Sequence, residues 1–490
     1  MSPRTAFSRG HPPDPRPTGG SVQKSHTEPE PTPGAPVERV AAPPGPPGHA
    51  PGIARDARRV LTDNWTGTST VPSHGLYPHQ WSWDSAFIAI GLRHMSPLRA
   101  QLELETLLAA QWRDGRVPHI VFDPAVPRGA YFPGPDFWRS STSGRPAGAP
   151  RRTETSGIVQ PPVHALAAWL VHRADPRASW RRGFLARVQP RLTAWHRYLT
   201  ASRDLAGDGL PAVVHPWEPG MDNSPCWDAP LAHVTPADPE SFRRADLHHG
   251  AAADRPTDLD YGRYVRLAVD YRAGGYADLG RPHAFAVEDP GLATLLALSE
   301  HALAEIALAL GGDPRPHLDE AARLTEALVR RLWSPAAGQF LARDVRADAL
   351  IPERSAAGLL PLALPDLPEA IAAEVLRTAE GPHFALGSAA ATGLVPSYDL
   401  LGPAYDAGRY WRGPAWFNLN WLLERGLRRH GWADRAERLR AAIVGVGAAS
   451  GFAEYVDPAT GRPRGTRDFS WTAALVLDLL ADEDPEGGLG

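Results

Sequence analysis

The segment LATLLALSEHALAEIALAL, residues 292–310, is the most apolar helical stretch of this 490-residue chain. Leucine and alanine recur all along it, but Ser299, Glu300, His301 and Glu305 interrupt the apolar run. A helix that crosses a membrane needs about 20 predominantly apolar residues. The interruptions therefore favour a helix that is buried in a protein core over a membrane span.

On both sides of this helix, further segments have apolar residues at three- and four-residue spacing, which is typical of amphipathic helices. They lie at residues 57–65, 85–95, 98–112, 161–172, 178–199, 317–332, 368–378, 415–430, 432–446 and 471–480. Within the longest gaps between them, residues 122–156 and 215–260 are predicted to be loops. The sequence thus predicts an all-α fold. The lack of a fixed-period repeat disfavours an open solenoid and favours a closed toroid of paired helices.

The chain carries 51 Lys plus Arg and 55 Asp plus Glu, a formal net charge of −4, and a single cysteine. This balance, without a basic run, argues against nucleic acid as a partner and against binding to an anionic membrane surface. Cys226 alone cannot form an internal disulfide, so we expect a reducing, cytoplasmic location. Residues 1–52 are rich in proline and glycine and are predicted to be a disordered arm. The folded domain is predicted to span residues 53–484.

Tryptophan gives the strongest compositional signal, because eight of the 16 tryptophans fall in four short loop segments. These segments are YPHQWSWDSAF at 77–87, HPWEPGMDNSPCWD at 215–228, YWRGPAWFNLNW at 410–421 and GFAEYVDPATGRPRGTRDFSW at 451–471. Each one combines indole rings with carboxylates, amides or arginine. Sugars need this mixture, because a pyranose offers apolar faces to aromatic rings and hydroxyls to polar groups. The four segments together predict a carbohydrate-binding site.

Cleavage of a glycosidic bond needs two carboxyl groups, of which one gives a proton to the leaving oxygen. Asp222 is the candidate, because it lies in the loop sequence PGMDNSP, and Trp217 and Trp227 would supply a wall of low dielectric that raises its pKa. The alternative is an ordinary Asx-turn residue. Glu218 is the nearest rival, although it could instead orient a substrate hydroxyl or the loop itself.

The second carboxyl group is best supplied by Glu454, which lies between two aromatic residues in GFAEYVDP. Its alternative is a surface glutamate on a short strand. Asp84 either binds sugar or serves as the N-cap of the helix that follows it. Arg412 either forks two hydrogen bonds to substrate or pairs with an acidic neighbour. The chain has no cysteine pair, no EF-hand loop and no glycine-rich phosphate loop, so neither a metal nor a nucleotide cofactor is predicted.

The four tryptophan segments, together with TSGIVQPP at 155–162 and FSWTAAL at 469–475, resemble glycoside hydrolase family 63. Within that family they are most similar to the compact bacterial mannosylglycerate and glucosylglycerate hydrolases. The motifs follow the family's order and extend from Tyr77 to Leu475, which is nearly the whole predicted domain.

The resemblance implies an (α/α)6 barrel with long functional loops at one end. It also implies an enzyme that hydrolyses a small α-glucoside or α-mannoside, such as one linked to glycerate, with inversion of the anomeric configuration. Asp222 matches the family's general acid and Glu454 its general base. An inverting pair should lie roughly 6.5–9.5 Å apart. Further positions match sugar contacts: Tyr77, Trp81, Asp84, Gln160, Tyr410, Trp411, Arg412 and Trp416.

Two other functions are compatible with these motifs. One is a trehalase-like or oligosaccharide α-glucosidase on the same barrel, and the other is a non-catalytic carbohydrate-binding toroid. The partner is expected to be a small-molecule glycoside, and the oligomeric state is left open, a homo-oligomer included. The loop at 137–153 carries Arg139, Arg145, Arg151 and Arg152, which either bind a glycerate carboxylate or are solvated surface charges.

Overall fold

The computed structural model describes residues 50–248 and 252–481. The predicted arm, residues 1–52, lies outside the described residues except at its end, where residues 50–52 belong to the first helix. The last three residues of the predicted domain, 482–484, also lie outside them.

Helices dominate the described part of the chain, so the predicted mostly helical class is confirmed. The α-helices are α1 Ala50–Asp63, α2 Ser82–Leu92, α3 Pro97–Ala109, α4 Pro135–Trp138, α5 Ser140–Ser143, α6 His164–Ala174, α7 Pro176–Arg182, α8 Phe184–Ser202, α9 Asp228–Leu231, α10 Asp258–Ala273, α11 Pro290–Ala309, α12 Arg315–Leu332, α13 Glu369–Glu380, α14 Phe417–Arg429, α15 Ala433–Ala449 and α16 Ser470–Ala481. A 3-10 helix of eight residues spans Ala356–Ala363.

The described strands are two residues long and pair in antiparallel fashion. They are β1 Gln80–Trp81, β2 Ile120–Val121, β3 Ala212–Val213, β4 Val287–Glu288, β5 Trp333–Ser334, β6 Gln339–Phe340, β7 Arg343–Asp344, β8 Ala349–Leu350, β9 Ala415–Trp416, β10 Tyr455–Val456 and β11 Pro463–Arg464. Their orders are β1-β2, β3-β4-β7-β8, β5-β6 and β11-β10-β9. In the last sheet Tyr455 pairs with Trp416, which fixes the segment around Glu454 next to the segment around Trp411.

Six segments form a closed cycle of packing contacts. Helix α2 packs on α6, α6 on α11, α11 on the 3-10 helix, the 3-10 helix on α14, α14 on α16, and α16 on α2. Every residue of α2 is buried, as is almost all of α16, so these helices lie inside the core. Helices α1, α3, α8, α12, α13 and α15 each pack on members of the cycle. Helix α12 buries one face only, as expected for an outer amphipathic helix.

Helix α11, the apolar helix of the opening segment, is long and apolar enough by length and composition to cross a membrane. Most of its residues are buried against α6, α8, α12 and the 3-10 helix. The prediction of a buried core helix is therefore confirmed.

Two details of the predicted helices were wrong. The segment 178–199 is two helices, α7 and α8, separated by Gly183, whose φ of 60° lies in the left-handed region that ends a helix. Helix α10, Asp258–Ala273, was not predicted, and its first residues lie in the segment 215–260 that was predicted to be a loop. Its buried face is built mainly from Tyr261, Tyr264 and Tyr271, and tyrosines at this spacing are a weaker helical signal than aliphatic residues.

Candidate active site

Two adjoining cavities lie where the four tryptophan segments meet. The first, called here the tryptophan cavity, is lined by Tyr77, Trp81, Trp83, Asp84, Gln160, Gly220, Asp222, Tyr410, Trp411, Glu454, Phe469 and Trp471. The second, the tyrosine cavity, is lined by Leu76, Tyr77, Trp81, His119, Tyr131, Phe132, Trp217, Asp222, Asp246, Arg255, Pro256, Tyr261 and Tyr410. Asp222 is the one carboxyl group common to both lining sets.

The N-terminal ends of core helices bring these side chains together. Asp84 is the third residue of α2 and Trp471 the second residue of α16. Gln160 precedes α6, and its Oε1 accepts a hydrogen bond from the backbone N–H of Trp83 at 3.2 Å. Segments that are distant in sequence therefore converge at one end of the helix cycle.

Glu454 is buried and holds several hydrogen bonds. Its Oε1 accepts from the hydroxyl of Tyr77 at 2.8 Å and from the hydroxyl of Tyr410 at 3.4 Å. Its Oε2 accepts from the backbone N–H of Thr466 at 3.2 Å. Burial raises the pKa of Glu454, whereas the Arg255 charge and these donors oppose the rise. Every one of these donors favours the carboxylate form.

Arg255 lines the tyrosine cavity and contacts two tyrosines that line both cavities. Its Nη1 and Nη2 each donate to the hydroxyl of Tyr77 at 3.2 Å, and its guanidinium stacks over the ring of Tyr410 at 4.5 Å. Because the Tyr77 hydroxyl accepts from Arg255, its own hydrogen is directed to Glu454. A relay of donors thus runs from Arg255 through Tyr77 to the Glu454 carboxylate.

Asp222 faces an environment that favours its protonated form. Burial raises the pKa of Asp222 to about 8; the Arg255 charge opposes this rise and the Glu454 charge adds to it. A carboxyl group with such a pKa is mostly protonated at neutral pH and can donate a proton.

Asp84 is a third buried carboxyl group in the tryptophan cavity. Its pKa is raised well above the ordinary value, mainly by burial and then by the charges of Glu454 and Asp222. It is not the N-cap of α2, since Trp81 holds that position. Asp84 can therefore offer hydrogen bonds to a hydroxylated ligand at the cavity wall.

The aromatic wall of the tryptophan cavity is supported from behind. Trp411 stacks on Trp416 with ring centroids 3.6 Å apart and planes 1° apart, and Trp416 stacks in turn on Tyr455 at 4.5 Å. Trp411 has a positive φ of 59°, a strained conformation for a bulky residue that is often found at functional sites.

Three residues that were predicted to contact the ligand lie behind the cavity walls. Trp416 supports Trp411 and does not line either cavity. The Arg412 guanidinium is held by Asp228, with Nη1 2.9 Å from Oδ1, so its alternative role of pairing with an acidic neighbour is the one observed. Glu218 is fully buried, and both its oxygens accept from Arg203 at 2.7 Å. The other sequence-predicted residues line one or both cavities: Tyr77, Trp81, Asp84, Gln160, Trp217, Asp222, Tyr410, Trp411 and Glu454.

Sequence reasoning missed Arg255, which lies in the segment DRPTD outside the tryptophan-rich loops. An arginine between an acidic residue and a proline gives no distinctive signal, and it was not singled out. The arginines of the 137–153 loop, in contrast, are exposed and line neither cavity. Within residues 50–248 and 252–481, no three His, Cys, Asp or Glu side chains come together as a metal-binding group.

Comparison with known proteins identifies the family of this chain. Residues 77–472 match the family described as the mannosylglycerate hydrolase MGH1-like glycoside hydrolase domain. The mannosylglycerate hydrolase of Rubrobacter radiotolerans is 42% identical over 88% of this chain and 97% of its own length. The glucosylglycerate hydrolase of Mycolicibacterium hassiacum is 39% identical over 87% of this chain and 97% of its own length.

Solved structures give the same result. The family 63 mannosylglycerate hydrolase of Thermus thermophilus in complex with Tris and D-glycerate superposes with a TM-score of 0.78 at 39% identity, over 87% of this chain and 99% of that one. The yeast neutral trehalase, at 16% identity and a TM-score of 0.56 over 85% of this chain and 74% of its own, shares the fold alone. The chain is thus a glycoside hydrolase and belongs to the MGH1-like family of mannosylglycerate hydrolase domains, within glycoside hydrolase family 63.

Proposed function

We propose that this enzyme is an inverting α-glycosidase in which Asp222 is the general acid and Glu454 the general base. The observation that carries the assignment is that Asp222 lines both cavities whereas Glu454 lines the tryptophan cavity alone. If the sugar occupies the tryptophan cavity and the aglycone the tyrosine cavity, the scissile oxygen lies at their boundary. A proton donor for the leaving oxygen belongs at that boundary, beside Asp222.

The ionisation of the two groups supports the same roles. The raised pKa of Asp222, to about 8, keeps a proton available at neutral pH. The Glu454 carboxylate, which accepts hydrogen bonds from Tyr77 and Thr466, can take a proton from water. The reaction then uses one water molecule. Glu454 removes a proton from this water as the water oxygen attacks the anomeric carbon. Asp222 protonates the departing oxygen, so that the products are the free sugar and the aglycone alcohol.

We propose an α-glucoside or α-mannoside of glycerate as the substrate. Arg255 in the tyrosine cavity offers a cation to the carboxylate of such an aglycone. The relatives named above are hydrolases of mannosylglycerate and glucosylglycerate, and one of them is seen with D-glycerate bound. Trp217 and the tyrosines of that cavity would also suit a second sugar ring, so trehalose and related disaccharides are the comparison substrates.

We further propose that the closed cycle of six segments is the inner ring of an (α/α)6 barrel. The alternation along the chain of largely buried inner helices with outer helices such as α12, which buries one face only, supports this architecture. Residues 53–484 would then form a single catalytic domain. A cytoplasmic location agrees with the buried free thiol of Cys226.

The test is a product-release screen with glucosylglycerate, mannosylglycerate, trehalose, kojibiose and nigerose, with the first-formed anomer read by NMR. We expect turnover of a glycerate glycoside and the β-anomer as the first product. Asp222→Asn and Glu454→Gln should each lose nearly all turnover, while Asp270→Asn, a change of a half-buried aspartate on α10 that lines neither cavity, should keep it. An α-anomer formed first would reject inversion, and full activity in either active-site variant would reject its assigned role.

A further inference from the structure

A buried ionic network lies behind the loop that carries Asp222. Arg203 is completely buried at the end of α8, and its Nη1 and Nη2 each donate to one oxygen of Glu218 at 2.7 Å. Its Nε donates to Oδ1 of Asp278 at 2.9 Å. Arg116 contacts the other oxygen of Asp278 at 3.2 Å. Two arginines are therefore neutralised by carboxylates away from solvent.

Glu218 connects this network to two loops of the active site. Its Oε2 accepts from the backbone N–H of Val214 at 2.7 Å, and its Oε1 accepts from that of Val159 at 3.3 Å. Val159 immediately precedes Gln160, which lines the tryptophan cavity. Glu218 itself lies next to Trp217 and four residues before Asp222. One carboxylate thus joins the loop of the proposed acid to the loop of a cavity-lining amide.

The ionic network is better explained by a role in fixing the positions of its groups than by a contribution to the stability of the folded protein. A buried ion pair often adds no stability relative to apolar residues of the same volume, because both charges lose their hydration. A two-pronged arginine–carboxylate contact does, however, fix the relative orientation of the groups that carry it. A misplacement of about 1 Å in an active site can cost about 100-fold in rate.

We propose that Arg203 and Glu218 are positioning residues that hold Asp222 at the boundary of the two cavities and Trp217 in the wall of the tyrosine cavity. The proposal rests on the role assigned to Asp222 under the proposed function. Neither residue touches a substrate in this arrangement, because both are buried behind the cavity walls. Their effect reaches the reaction through the placement and the dry surroundings of Asp222.

The surroundings of Asp222 provide a readout that a purely structural role would not move. The charged groups that act on its pKa are Arg255 and Glu454, and Asp84 lines the tryptophan cavity with it. In the tyrosine cavity, Asp246, Tyr131, Tyr261 and Tyr410 line the same wall set as Asp222. Changing Glu218 or Arg203 removes none of these groups. If the loop loosens, water enters beside Asp222, burial weakens and the pKa of Asp222 falls from its raised value. The alkaline limb of the kcat profile then moves to lower pH.

The experiment compares Glu218→Gln and Arg203→Lys with the wild-type enzyme on the glycerate glycoside that it hydrolyses. Glu218→Gln keeps the side-chain shape, and Arg203→Lys keeps the charge but loses the two-pronged contact. We expect kcat to fall about 100-fold, with the alkaline limb at lower pH. Asp478→Asn is the matched control, since it disrupts a buried ionic group at the far ends of α2 and α16. It should lower the melting temperature without moving the limb.

The outcomes separate this inference from the proposed function. An unchanged alkaline limb and unchanged kcat in a folded Arg203→Lys or Glu218→Gln variant would overturn the positioning role. If Glu218→Gln does not fold, Arg203→Lys alone decides. Full activity of Asp222→Asn would instead overturn the proposed function, on which the inference rests. A limb that shifts equally in Asp478→Asn would show general loosening and would also overturn it.

Discussion

The hydroxyl of Tyr77 lies 2.8 Å from Oε1 of Glu454, although the two residues are 377 positions apart in the chain. Arg255 donates to the same hydroxyl, so the phenol has its hydrogen directed to the carboxylate. This contact joins the segment before α2 to the segment before β10, and both residues line the tryptophan cavity. It also shows how a base can be kept ionised inside an aromatic pocket.

Replacement of Tyr77 by phenylalanine should weaken the base without removing it. The loss of the Tyr77 hydroxyl raises the pKa of Glu454 further, because one donor fewer stabilises the carboxylate form. We expect kcat to fall about 10- to 100-fold, in line with the loss of a hydrogen bond to a charged group, and the acidic limb of kcat/KM to move to higher pH. Tyr276→Phe, which removes a buried hydroxyl outside both cavities, is the control. An unmoved acidic limb in Tyr77→Phe would contradict the relay.

The pH dependence of kcat/KM should be bell-shaped. Activity requires Asp222 protonated, so it should decline as the pH rises through about 8. It requires Glu454 ionised, and because the pKa of Glu454 is raised, the acidic limb should lie above the ordinary glutamate value of about 4.3. Initial rates at subsaturating substrate from pH 4 to pH 10 measure both limbs. A profile that stays flat up to pH 10 would rule out Asp222 as the donor.

Arg255 should set the preference for an acidic aglycone. Charge-assisted hydrogen bonds contribute about 1.5–3 kcal/mol, so Arg255→Met should reduce kcat/KM for a glycerate glycoside by about 10- to 150-fold. The kcat/KM for the same sugar linked to glycerol, which lacks the carboxylate, should fall much less. The measurement is the ratio of the two reductions in kcat/KM. Arg139→Met tests the exposed loop arginine in the same way and should leave the ratio unchanged. Equal losses with both substrates would remove Arg255 from carboxylate recognition.

Gly465 should tolerate no side chain. It has a φ of +65°, and a Cβ at this position would collide with Oε2 of Glu454. Gly461 has a similar φ of +70°, but the nearest atom to its Cβ would be 3.5 Å away. The left-handed conformation costs an L-residue about 1–2 kcal/mol at either site, so both alanine variants should lose some stability. Only Gly465→Ala should also lose turnover, and comparable rates in the two variants would show that the carboxylate can move aside.

Asp478 should matter for stability and not for turnover. Although burial alone would raise it, the pKa of Asp478 is held below its ordinary value by Arg93, His94 and Arg425. Such a group stabilises the folded state above its unfolded pKa, and this contribution is lost as the pH falls through the folded value. Asp478→Asn should cost about 3–5 kcal/mol at pH 7, and less as the pH drops below about 4. Chemical denaturation at several pH values measures this, and a pH-independent loss would contradict the charge argument.

The sequence determined the helices and the chemical character of the site. The three- and four-residue spacing of apolar side chains is a local property, so helices such as α11 and α12 could be recognised without any tertiary information. The clustering of tryptophans with Asp222 and Glu454 in loops can likewise be recognised from the sequence. Loops at the ends of buried helices have few other reasons to contain both indole rings and carboxylates. The match of these motifs to a known family supplied their order and roles.

Only the tertiary structure decided which polar side chains face the ligand. Glu218 and Arg412 lie in the same segments as cavity-lining residues, yet Arg203 and Asp228 hold them behind the walls. Arg255 comes from an undistinguished loop and reaches Tyr77 across 178 positions. A buried charge must find a partner of opposite sign wherever the fold supplies one, and that partner is set by packing between distant segments. The sequence determines which groups are available, and the packing determines which of them are left free to bind.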